Sequence, residues 1–159
     1  MNAVPESEAF EIPPVVLEEF ESAALNPEAF DHPAHVFVAW SLLEQGDLPE
    51  ATQRFTSALK RLTRQHGIEG KYHETISCFY MALIAERRAL QGRQDWPLFS
   101  RANPDLLIKS GELLKGYYST ERLQSPLARR QFLLPDRVPD QESAPVHFPQ
   151  QPSQYLSDG

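Results

Sequence analysis

Residues 31–66 read DHPAHVFVAWSLLEQGDLPEATQRFTSALKRLTRQH, and their pattern decides the fold. Asp31 carries the short acceptor side chain of a helix cap, and Pro33 falls in the opening turn, where a missing N–H does no harm. Val36, Phe37, Trp40 and Leu43 follow at helical spacing until Gly46. Asp47 opens a second helix, and Glu50 completes a capping-box pattern. The apolar face of that helix is Ala51, Phe55, Ala58, Leu59 and Leu62, and His66-Gly67 closes it. So short a connection makes the two helices antiparallel neighbours.

Further along, residues 71–90 carry Tyr72, Ile76, Phe79, Tyr80, Leu83 and Ile84 at the same period, with Gly92 as the stop. Asn103-Pro104-Asp105 signals a fourth helix, running through Leu106, Leu107, Leu113, Leu114 and Tyr117. A shorter fifth segment covers residues 126–132, and residues 15–25 form a helix packed against the bundle. No convincing β alternation occurs. The expected fold is all-α: an antiparallel four-to-five-helix bundle over residues 15–134. An acidic arm (residues 1–14) precedes it and a proline-rich tail (residues 135–159) follows it.

With 159 residues, 41% hydrophobic and 23% charged, the chain has the composition of one globular domain. The net charge of −7 lies in the first thirty residues, which hold seven glutamates and no basic side chain. From Asp31 onward, 15 acidic and 15 basic residues balance, which argues against a nucleic-acid partner. A single cysteine, Cys78, excludes a disulfide framework and any CxxC motif. No apolar run approaches the roughly 20 residues of a membrane span. The opening MNAVPESEAFE is acidic where a signal peptide is basic, so a cytoplasmic location is expected.

Alternating helix direction has a chemical consequence. His32 and His35 begin the first helix, His66 ends the second and His73 begins the third, so all four are expected at one end of the bundle. A spacing of three places His32 and His35 on one helical face. A helix N-terminus favours the neutral imidazole, the form that binds metal. His32, His35 and His73 are therefore candidate ligands for a divalent metal, Zn(II) or Fe(II). HxxH is a weak motif without an adjacent HExxH or Glu-x-x-His pattern, and His66 reads as a helix cap. Lys71-Tyr72-His73-Glu74-Thr75 concentrates polar chemistry at one helix start, with Tyr72 and Glu74 as candidates for proton transfer. Arg129 can reach the same end and suits an anionic substrate. Cys78 reads as a small buried side chain. The chain has no GxxxxGK[ST], GxGxxG or GxSxG.

Three blocks carry a likeness: Phe30-x-His32-x-x-His35-x-x-x-Ala39-Trp40, Lys71-Tyr72-His73-x-Thr75, and Leu123-x-Ser125-x-x-Ala128-Arg129 with Pro135-Asp136. Over about residues 28–137 the chain resembles a family of small, uncharacterised bacterial helical proteins. The resemblance implies a common fold and a single site built from the polar blocks. It brings no reaction and no metal with it. Ala39, Gly46, Ala51, Phe55 and Ala58 also fall at the positions of a tetratricopeptide unit, but no second copy follows. The leading expectation is a histidine-lined polar pocket, serving a metal-dependent enzyme that acts on a small anionic substrate. The alternative is a non-catalytic helical adaptor that holds a protein partner through the tetratricopeptide-like helix pair or the acidic arm.

Overall fold

The computed structural model describes residues 17–108 and 111–139, and the chain over these residues is helical. The arm at 1–14 and most of the tail lie outside the described residues. Three helices make the framework: α2 (His32–Gln45), α3 (Leu48–Gln65) and α4 (Glu74–Gln91), each packed on the other two. Asp31 caps α2 by accepting from Ala34 N, and Asp47 caps α3 by accepting from Glu50 N. Arg88, late in α4, donates to Leu43 O at 2.6 Å, late in α2, so these two helices run the same way and α3 runs against them.

The face read from α3 is the buried one: Ala51 and Ala58 are fully buried, and Phe55, Leu59 and Leu62 are nearly so. Ala39, Ala51 and Ala58 are all buried, so these tetratricopeptide-like positions fall in the core of the bundle. The short α1 (Leu17–Glu21) sets Phe20 against Phe30 and Phe55. Arg54 ties α1 to α3 through Glu21.

The expected fourth long helix does not form. Asn103 is fully buried and makes no cap; its amide donates to Phe99 O at 2.8 Å and faces Gln91 and Arg87. Asp105 is held by Arg87 in a two-pronged ion pair. The chain there is a 3-10 turn (Pro104–Leu107), and Gly111, at φ +72°, precedes a four-residue α6 (Glu112–Lys115). Sequence periodicity missed α5 (Trp96–Ala102), which Asp95 caps and Pro97 opens. Trp96 packs there against Phe37 and Trp40, at ring-centre distances of 5.1 and 5.7 Å.

Two five-residue helices follow, α7 (Thr120–Gln124) and α8 (Pro126–Arg130), capped by Ser119 and Ser125. Residues 131–139 then lie against the body. Leu133 O accepts from the buried Tyr118 hydroxyl at 2.7 Å, Asp136 accepts from Ser119, and Arg137 N reaches Tyr117 O. Contact with the body therefore continues through Arg137. Among the described residues no helix is long and apolar enough to cross a membrane.

Candidate functional site

The starts of α2 and α4 and the end of α3 meet around a cleft of about 720 Å³. The chain leading into α2 supplies one lip, with Glu28, Phe30 and Asp31. The other lip comes from the segment between α3 and α4, with His66, Ile68, Lys71, Tyr72 and His73. Leu59 and Leu62 of α3 form an apolar floor between them. Behind the cleft lies a smaller chamber of about 80 Å³, lined chiefly by Val36, Ala39, Phe55, Met81 and Ile84. His35, Ile76 and Ser77 line both spaces and so form the wall between them.

Each expected site residue has a definite place. His35 stacks on Phe30 with ring centres 3.9 Å apart, at the junction of cleft and chamber. His32 lines the chamber, meets Tyr80 edge-on at 5.3 Å, and has Nε2 at 2.7 Å from Leu106 O. A carbonyl oxygen only accepts, so Nε2 of His32 carries the proton. His73 is the N-cap of α4: its Nδ1 accepts from Ile76 N at 3.2 Å, and its Nε2 donates to Leu123 O at 2.7 Å. Both ring nitrogens of His73 are therefore engaged with backbone.

The expected His32–His35–His73 metal triad is accordingly not assembled here. Among the described residues, no group of three or more His, Cys, Asp or Glu side chains is placed to hold a metal ion. His35, His66 and His73 line one cleft and His32 lies behind it, which places them at one end of the bundle but not around one point. His66 stands at the C-cap of α3, and His73 is the N-cap of α4, where its imidazole offers an acceptor to the orphan amides of the first turn.

Tyr72 lines the cleft, and its hydroxyl donates to Glu74 Oε2. Lys60 of α3 also reaches that carboxylate, at 3.3 Å, and lies over the Tyr72 ring at 5.2 Å. Burial, reinforced by the hydrogen bond to Glu74, holds the Tyr72 phenol far above its usual range. Burial and the Glu74 charge push the Cys78 thiol up to about 11. The phenol thus stays protonated at neutral pH and serves as a donor. Lys60 was not legible as a site residue, since only the packing of α3 against α4 brings it to Glu74. Arg129 is exposed and donates to Gly70 O at 2.7 Å, away from the cleft lining, so its guanidinium braces the lip.

The fold and this end-of-bundle cleft define a small all-α protein with a preformed concavity. Comparison with protein-family models, curated proteins and solved structures finds no match. The site is therefore read from its own geometry.

Proposed function

We propose that this protein binds a small molecule in the cleft, with an apolar part of that molecule passing His35 into the chamber. The supporting observation is that His35, Ile76 and Ser77 border both spaces, so that a polar-rimmed mouth and an apolar recess adjoin. Ligand sites in proteins are commonly clefts of about 300–1,000 Å³, mostly apolar, with a few polar groups to orient the ligand. Here the polar groups are the His35 ring, the Tyr72 side chain and the lip residues Asp31 and Lys71.

A fragment library titrated into the ¹⁵N-labelled full chain tests this reading. Binding in the cleft shifts amides of residues 30–36 and 71–77 together; an absence of such paired shifts from every fragment would contradict it. A metal-dependent reaction on an anionic substrate, with Tyr72, Glu74 and Arg129 assisting, requires His73 to release one of its two backbone partners, Ile76 N or Leu123 O. Elemental analysis of untagged protein separates that reading from plain ligand binding.

A second reading, the adaptor, has one observation of its own. Leu134 and Val138 are 70% and 86% exposed, close in sequence to exposed Leu127 and Phe132 and to Arg129 and Arg130. Replacing Leu134 and Val138 by serine removes a protein partner under this reading and leaves the cleft shifts unchanged.

A further inference from the structure

The cleft has lips of opposite charge. Glu28 and Asp31 stand on the lip that leads into α2, on the side of His35. Lys71 stands on the lip that leads into α4, on the side of Ile76 and Ser77. Among the described residues neither Glu28 nor Lys71 forms an ion pair. Asp31 uses one oxygen, Oδ1, to cap α2 through Ala34 N at 3.0 Å. A bare anion meets Lys71 but also the two carboxylates opposite, and a bare cation meets the reverse. A molecule carrying both charges on one short unit satisfies both lips.

The chamber limits the rest of the molecule. Its lining is apolar apart from His32, His35, Ser77 and Tyr80, and its volume is about 80 Å³. An apolar cavity of roughly 150 Å³ holds a benzene molecule. Half that space suits a branched group of three or four carbons and is too small for an aromatic ring.

We propose that the ligand is a zwitterion with a branched aliphatic side chain, of the chemical class of leucine and valine. Its ammonium faces Asp31 and Glu28, its carboxylate faces Lys71, and its side chain passes between His35 and Ile76 into the chamber. The inference rests on the cleft being a ligand site and adds what the ligand must carry.

The test uses three probes on the full ¹⁵N-labelled chain: L-leucine, 4-methylpentanoate, which lacks the ammonium, and 3-methylbutylamine, which lacks the carboxylate. Leucine is expected to bind about tenfold more tightly than either, the loss expected for one charge-assisted contact. Asp31→Asn keeps a good helix cap while removing that charge, and it should reduce the advantage over 4-methylpentanoate, Glu28 remaining. Lys71→Gln should cancel the advantage over 3-methylbutylamine. Leucine binding no more tightly than both analogues, or keeping its advantage undiminished in both variants, overturns the inference. If none of the three shifts residues 30–36 and 71–77 while another fragment does, the zwitterion fails and the cleft reading stands. If no compound of any class does, the cleft reading has failed as well.

Discussion

The hydroxyl of Thr75 lies 2.7 Å from the carbonyl oxygen of Ala128, joining the first turn of α4 to α8 at a point closed to solvent. Thr75 Oγ1 is also 2.9 Å from Gln131 O and accepts from Leu133 N at 3.1 Å. One hydroxyl thus accepts from one backbone N–H of the C-terminal segment and shares its single proton between two of its carbonyls. Thr75→Val keeps the shape and leaves those groups without their partner, so it should cost about 1–3 kcal/mol. Urea denaturation measures the loss, and limited proteolysis should cut residues 131–139 faster than in the parent protein. Thr75→Ser should restore most of the difference.

His73 contributes to the same clasp from the residue before α4. His73→Ala removes the acceptor for Ile76 N and the donor to Leu123 O, and the cap alone is worth about 1 kcal/mol. His73→Asn keeps a capping oxygen and should recover that part. Thermal denaturation reads both variants. Metal content, measured by elemental analysis on untagged protein, should be the same in the parent and in His73→Ala. A stoichiometric metal lost with this substitution would restore the ligand role.

How far the sequence went can be judged from these two residues. Lys71-Tyr72-His73-Glu74-Thr75 stood out as an unusual density of polar groups, and it does form a junction. Its partners were not legible, because they are backbone carbonyls of residues 123–131, and any residue type offers a carbonyl. The helices from His32 to Gln91 were readable because caps and period agree there. The stretch from Asn103 was misread because its capping residues are consumed elsewhere: Arg87 reaches across from α4 to take Asp105 and to contact Asn103. Periodicity along a chain carries no information on which side chain from another helix will claim a cap.

The Arg87–Asp105 pair gives a pH dependence. Burial alone would raise the Asp105 carboxyl, but two hydrogen bonds from Arg87 and its charge outweigh burial and hold the pKa below the ordinary aspartate range. A depressed folded-state pKa contributes stability that is present above the unfolded value, near 3.8, and lost as pH falls through the lower folded value. Arg87→Met should therefore narrow the gap between neutral and acid stability, with the parent losing its margin from about pH 5 downward. Asp105→Asn leaves a buried guanidinium without its charge partner. The cost should be about 2–3 kcal/mol, below that of a fully buried pair because the carboxylate is partly exposed. Chemical denaturation at a series of pH values checks both.

Glu74 should govern two neighbours at once. The Cys78 Sγ lies 3.7 Å from its Oε1, and Tyr72 donates to its Oε2. At pH 8 the Cys78 thiol, with its pKa of about 11, should react slowly with a thiol-directed reagent. Glu74→Gln removes the charge and should speed that reaction, and it should lower Tyr72 ionisation in part, the rise due to burial remaining. Absorbance titration of the tyrosines reads the second effect.

The central claim is that the cleft and the chamber form one ligand site with His35 at the passage. Methyl resonances of Met81 and Ile84, both fully buried on the chamber wall, report on it most directly. A ligand that shifts the amides of residues 71–77 should also shift these two methyls, and Ala39→Val, which reduces the chamber, should weaken its binding. A ligand that shifts the outer amides while both methyls stay unmoved and Ala39→Val binds it equally well would contradict the account.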